Sequence, residues 1–289
     1  MEKVKKCIIV AAAALFICCP VALQAQSHNS EFTVSLGAGS SALKYQLNEG
    51  KSKSGFGWEL GAGYSYYFSK MLGVSLGLEL ANFSSSVKID VITMPDQQIE
   101  TPQGLSGNFL LRTQYKGFEE NQSAVMLQIP VMLQFQYPVS KSSFLFLGAG
   151  IKAGFPVSSK WNQSIASFKT TGYSEYTGQL YDDMPTHGFS THSNLSASGK
   201  LELKSPVLFA IEGGLKFSIS KNNCLYTGLF LDYGLNDIYK TSGGNTPLLE
   251  YNNASPANYN YNSILMTSNS SGGIKPFAVG IKIKMGFGI

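Results

Sequence analysis

The chain has three histidines, His28, His187 and His192, as its only imidazole ligands or bases. Two lie in the segment 182–192 (DDMPTHGFSTH), where Asp182, Asp183, His187 and His192 offer the nitrogen and carboxylate donors that zinc accepts. Their spacing fits no rigid ligand template, so the segment reads as a solvated loop, with neither metal nor cofactor expected. Acyl transfer within a membrane would need serine and histidine side by side at the lipid face. None of the eight alternating segments described below contains a histidine, so no catalytic residue is expected. The glycine pairs in Gly61-Ala62-Gly63 and Gly148-Ala149-Gly150 fall inside such segments and form no phosphate cradle.

The remaining chemistry is charge at regular positions. Glu59, Glu79, Lys152, Glu212, Lys216, Asp232, Lys282 and Lys284 each sit in a run of alternating apolar residues, on the face opposite the apolar one. The last run, 274–289 (IKPFAVGIKIKMGFGI), shows the pattern. Phe277, Val279, Ile281, Ile283, Met285, Phe287 and Ile289 share one face, with Ala278, Gly280, Lys282, Lys284, Gly286 and Gly288 on the other. A period of two describes a strand with one greasy face. Such a strand lines a soluble sandwich, or it faces lipid on one side and a polar lumen on the other.

Eight segments carry this pattern, each at least the ~9–11 residues that a tilted membrane strand needs. They run over about 32–43, 55–68, 72–81, 124–139, 144–157, 206–220, 224–238 and 274–289. The third alternates most cleanly, with Leu72, Val74, Leu76, Leu78 and Leu80 outward. Pro130 lacks an amide hydrogen and predicts a bulge or local break in the fourth. Three connections are short, at 69–70, 140–143 and 221–223. Four are long, at about 44–54, 82–123, 158–205 and 239–273. Short turns on one rim and long loops on the other are the topology of membrane barrels, whereas a sandwich has no physical reason for that asymmetry. Weak alternation over 83–93 and 108–118 predicts that the third and fourth strands continue past the bilayer as a hairpin capped by 95–107. Residues 195–204 are a second such extension, and hairpins inserting into the wall would raise the strand count to ten. The segment 241–271, rich in Asn, Ser and Tyr, reads as irregular. Tyr173, Tyr176, Tyr181, Tyr251, Tyr259 and Tyr261 are expected on the outer loops, as contact residues or as part of an interfacial girdle.

The predicted fold is thus all-β, an eight-stranded antiparallel up-and-down transmembrane barrel with long extracellular loops and short periplasmic turns. A barrel of eight strands is just wide enough for side chains to fill. Its eight lumen charges, four acidic and four basic, are expected to pair across the interior as a structural network, with glycines leaving room for them. They form no single-sign ring of the kind that lines an ion path.

The N-terminus reads as an export signal. Lys3, Lys5 and Lys6 precede an apolar stretch over 8–19, Pro20 breaks it, and cleavage is expected after Ala25, leaving 26–289 as the barrel domain. Phe16 and Ile17 before Cys18 and Cys19 are too bulky for a lipoprotein signal. Cys7, Cys18 and Cys19 lie in that signal, so Cys224 stands alone in the mature chain and no internal disulfide is expected. The formal net charge of +4 comes partly from the signal and argues for no nucleic-acid partner. No later run approaches the ~20 apolar residues of a membrane helix.

The closing strand resembles the aromatic-rich C-terminal strand of bacterial outer-membrane barrels. With 209–216 (FAIEGGLK) and 225–236 (LYTGLFLDYGLN), the chain resembles the barrel domain of OmpA-like proteins. That resemblance implies the outer membrane of a gram-negative cell, contact with its lipid and lipopolysaccharide, and insertion by the barrel-assembly machinery through the last strand. Many relatives append a peptidoglycan-binding domain. The chain stops at Ile289, so that anchoring role is not expected here. The expected role is a non-enzymatic envelope protein whose loops bind an extracellular protein or glycan. The alternative is a narrow channel or a component of a transport or secretion assembly.

Overall fold

The computed structural model describes residues 29–102, 104–239, 246–254, 256–267 and 270–289, without the side chains of Ser271 and Gly272. The stretch expected to be an export signal, with Cys7, Cys18 and Cys19, and also His28, lies outside the described residues. Thirteen strands are present among them: β1 (Ser30–Leu47), β2 (Lys51–Tyr67), β3 (Leu72–Thr93), β4 (Gln97–Ile99), β5 (Phe109–Pro138), β6 (Ser143–Ser174), β7 (Gln179–Tyr181), β8 (Thr191–Lys200), β9 (Val207–Ser218), β10 (Asn223–Gly234), β11 (Leu249–Asn252), β12 (Asn258–Tyr261) and β13 (Ser270–Gly288).

Eight of these close a ring in which β1, β2, β3, β5, β6, β9, β10 and β13 each pair antiparallel with their neighbours, and β13 returns to β1. Phe32 faces Phe287 and Leu36 faces Ile283 across the closing seam. The alternation predicted from sequence holds around the ring. Leu36, Leu60, Leu76, Val131, Leu147, Leu229 and Ile281 stand exposed on the outer face, as a lipid-facing belt requires. The short turns are tight: Ser69 Oγ accepts from the amides of Met71 (3.2 Å) and Leu72 (2.9 Å), a serine turn. At Pro130 the β3–β5 ladder skips from Leu76↔Val131 to Glu79↔Gln128 without a change of register. The proline breaks the ladder locally, as its missing amide demands, and produces no bulge.

The expected continuation of the third and fourth strands is present, with β3 running to Thr93 and β5 starting at Phe109, while the other long connections differ from expectation. Instead of a loop over 44–54, β1 runs to Leu47 and β2 starts at Lys51, leaving a turn whose Gly50 has φ +89°. Likewise β6 continues to Ser174, where a loop was expected from 158. These extensions rise past the bilayer, where the outer face meets water and loses the apolar alternation by which a lipid-facing strand is read. The segment 241–271 is not irregular throughout. Among its described residues β11 and β12 form a hairpin, and a short 3₁₀ turn, Ile264–Met266, follows.

A row of pairing breaks crosses four neighbouring strands at one height. Asp90 and Val91, Lys116 and Gly117, Ala166 and Ser167, and Ser193 and Asn194 each put two consecutive residues toward the outside. The ladders resume on both sides with unchanged register, at Ile89↔Phe118 and Val91↔Lys116, and at Ile165↔Leu195 and Ser167↔Ser193. Below the row odd-numbered residues of β3 face inward and above it even-numbered ones do, with the corresponding switch in β5, β6 and β8. Gly117 (φ +62°) and Asn194 (φ +55°) take the left-handed conformation that this requires. A Cβ on Gly117 would lie 2.8 Å from that of Ala166.

Candidate functional site: a sealed lumen beneath an apolar hood

The eight predicted charges come together in the membrane-level lumen. Lys152 Nζ lies 2.8 Å from Asp232, 2.7 Å from Glu79 and 3.4 Å from Glu59. Lys282 reaches Glu59 at 2.6 Å, Glu79 at 3.2 Å and Glu212 at 3.6 Å. Lys284 pairs with Glu212. Nearest the periplasmic end, Lys216 meets Glu31 at 2.8 Å and stands over the rings of Tyr226 and Tyr67 at 4.9 and 5.3 Å. Lysine ammonium groups over aromatic faces gain further electrostatic attraction. Each charge has a partner on a different strand, so the network staples the ring across its interior. The glycines make room for it: a Cβ on Gly37 would come within 2.5 Å of Glu59 Cγ, and one on Gly61 within 2.6 Å of Glu79 Cγ.

Glu31 is a ninth member of the network, one residue before the alternating segment that starts at Phe32. Its inward phase, shared with Thr33 and Ser35, was the available signal.

Above the charges the interior changes character. Phe83, Phe109, Tyr115, Phe118, Phe168 and Phe189 are fully buried, together with Leu43, Met126, Ile165 and Leu208. Most come from the strand extensions, Phe189 comes from the connection before β8, and part of the last long connection packs among them through Leu248, Leu249, Ile264 and Leu265. We call this apolar upper half the hood. The loop tyrosines are expected on the outer loops, as contact residues or as part of an interfacial girdle. Of these, Tyr251 and Tyr259 instead turn into the hood, their hydroxyls donating to the carbonyls of His187 (3.1 Å) and Gly188 respectively. Tyr261 and Tyr181 pack against the same core, while Tyr176 stands exposed.

One carboxylate lies inside the hood. Glu120 is fully buried and accepts from Ser263 Oγ (2.5 Å), the Ile264 amide (2.9 Å) and Gln122 Nε2 (2.8 Å). Burial away from water pushes its pKa up from the usual carboxylate range to about 7, against the pull of those three donors. It ties the 3₁₀ turn of the last connection to the barrel wall. The sequence reading placed Glu120 in a loop, so it went unnoticed.

The histidine segment offers little chemistry. Asp182 pairs with Lys169 at 3.1 Å, both half exposed. The His192 ring stacks on Phe168 with centroids 4.6 Å apart, and its Nε2 lies 2.9 Å from Ser190 Oγ. Burial lowers its pKa. This serine–histidine pair is covered by Phe168 and edged by Tyr259, and it sits far above the lipid-facing belt. Among the described residues no three His, Cys, Asp or Glu side chains group to hold a metal ion.

A closed eight-stranded ring with a lipid-facing belt, short turns on one rim and long connections on the other defines a transmembrane β-barrel of the outer membrane. The chain belongs to the outer membrane protein beta-barrel domain family, whose profile matches residues 11–253. No curated protein matches the sequence significantly. Similar solved structures include the neisserial surface protein A, NspA, at 9% identity over 88% of this chain and 94% of that one, with a TM-score of 0.34. OprG of Pseudomonas aeruginosa shows 13% identity over 91% and 98%, with a TM-score of 0.34. A major outer membrane protein of Thermus thermophilus shows 12% identity over 90% and 100%, with a TM-score of 0.37.

Proposed function

We propose that this protein is a closed, non-enzymatic barrel that reinforces the outer membrane and carries a rigid extracellular hood for binding a partner at the cell surface. The observation that carries this reading is the double seal. Paired side chains fill the charged lumen, with cavities of about 50 and 10 Å³ among them, and the hood above it is packed with buried rings. An ion path would need to separate the lumen pairs and also displace the hood. The hood in turn serves as a platform, because its connections are anchored by the core and by Glu120 and so hold their outer faces in fixed places. In this reading residues 1–25 direct export, and the C-terminal strand engages the assembly machinery.

The test is reconstitution of the purified full chain in a planar bilayer, with heat-dependent gel migration to establish that the barrel is folded. A folded barrel without conductance is the expected result. Steady, ion-selective conductance would replace this reading with the channel.

A further inference from the structure

The outermost surface of the hood holds a cleft of about 720 Å³, within the ~300–1,000 Å³ of small-ligand sites. Its two walls are short strands that bring different parts of the chain together. One wall is β4 with its flanks, where Asp96, Gln98 and Glu100 share the exposed phase while Gln97 and Ile99 lean toward the protein. The other is the β11–β12 hairpin. Its odd residues, Leu249, Tyr251, Tyr259 and Tyr261, pack against the hood, which leaves Glu250, Asn252 and Asn260 on the exposed phase. The walls are tied to each other at both ends: Gln97 Nε2 donates to the Leu249 carbonyl and Asn253 Nδ2 to the Thr101 carbonyl, each at 3.1 Å. The cleft is therefore built before any ligand arrives, and ligand ordering costs little.

Its chemistry is specific. Side-chain amides outnumber carboxylates, and each amide both donates and accepts. Asp96 is already paired with Arg112 at 2.9 Å, which leaves Glu100 and Glu250 as the carboxylates of the lining without an ion pair among the described residues. Among the described residues no lysine or arginine lines the cleft. Paired donors and acceptors facing each other across a preformed polar slot match vicinal hydroxyl groups. The two free carboxylates reject sulfate and uronate and favour an amine. A cationic peptide fits less well, since such ligands are anchored by apolar side chains, and the apolar part of the lining is confined to the partly covered Ile99, Pro247 and Tyr251.

We infer that this cleft binds an oligosaccharide that is uncharged or bears amino groups. The inference rests on the surface-binding reading above and narrows it to one place and one ligand class. The experiment screens the full-length protein in detergent on a broad array of neutral, amine-bearing and sulfated glycans, with tetralysine as a peptide control. The strongest glycan is then titrated calorimetrically. The variants are Asn252→Ala/Asn260→Ala on one wall, Gln98→Ala/Glu100→Ala on the other, and Glu100→Gln/Glu250→Gln across both. All three pairs alter exposed side chains, and heat-dependent migration checks that each barrel is intact.

The expected result is binding of a neutral or amine-bearing glycan that weakens at least ~10-fold in each alanine pair. An amine-bearing ligand should weaken similarly in the glutamine pair, whereas a neutral one should change less than ~3-fold. Absence of binding across the array, preference for sulfated glycans, or binding of tetralysine alone overturns the inference. Glycan binding that survives all three pairs overturns the cleft while leaving surface binding in place. Surface binding itself fails by a separate measure, if cells carrying the protein adhere to host matrix and host cells no better than cells lacking it.

Discussion

The two halves of the barrel interior are sealed by opposite means. At membrane level, five carboxylates and four lysines among the described residues pair with one another across a ring of eight strands. In the hood, aromatic and aliphatic side chains exclude water as they do in a soluble core. Opposite solvents account for the difference. Within the bilayer the apolar residues are committed to the outer face, so the inward set is polar and must pair. Beyond the bilayer the outer face meets water, and apolar residues turn inward. The same alternation therefore inverts its meaning partway up each strand. Long strands such as β5 and β6 carry both regimes in one element.

The sharpest way to break this comparison is at the charges. Replacing Lys282 with Met leaves Glu59, Glu79 and Glu212 short of a buried cation, which costs on the order of 3–5 kcal/mol. Urea unfolding in lipid vesicles should report that loss across the whole barrel. Combining Lys282→Met with Glu59→Gln should recover part of it, and failure to recover would mean that the charges do not act as a coupled set.

In the hood, Phe168→Ala removes a ring that touches Tyr115, His192 and Tyr259. Large-to-small substitutions of this kind cost ~3–5 kcal/mol, and here the loss should stay local. Proteolysis of the last connection is expected to accelerate while heat-dependent migration of the barrel is retained. If the barrel unfolds along with the hood, the two halves form one cooperative unit.

Glu120 joins the two regimes, a carboxylate in an apolar setting. Its pKa is raised on folding, from near 4.5 to about 7. Folding thus favours the protonated form, and the stability so gained is present in full below about pH 4.5. It declines as pH rises and is lost above about 7. The hood should accordingly resist protease better at pH 5 than at pH 8, by ~2–3 kcal/mol in local opening. Glu120→Gln should remove that dependence. A variant that keeps it would assign the titration to another group.

The smallest effect is expected outside both seals. Lys88 and Glu119 pair at 2.6 Å on the outer wall of the hood, with both side chains largely exposed. Lys88→Ala should change stability by less than ~1 kcal/mol, which sets the baseline against which Lys282 is read.

The membrane half was legible in sequence because lipid imposes a strict period of two. Leu72 to Leu80 and Phe277 to Ile289 declare their outer faces, and Glu79, Lys282 and Lys284 are thereby assigned to the lumen. The hood was legible only in part: the continuation of β3 and β5 past the bilayer is in the sequence pattern, and the inward packing of its apolar residues is not. The breaks at Asp90, Gly117, Ala166 and Asn194 shift the phase within β3, β5, β6 and β8, so alternation over 83–93 and 108–118 looks weak although both stretches are regular strands. Glu120 and Tyr259 appear as ordinary loop residues because their burial depends on segments distant in sequence, Ser263 and Ile264 for Glu120 and Phe168, Gly188 and His192 for Tyr259.

The sequence by itself determined the barrel, its strand pairing order, the short-turn rim and eight of the nine lumen charges, since each follows from local alternation against a uniform solvent. Only the tertiary structure decided which charge meets which, that the long connections fold inward over the mouth, and that β4 and the β11–β12 hairpin face each other across a cleft. Those outcomes depend on where distant segments meet, and no local pattern encodes that meeting.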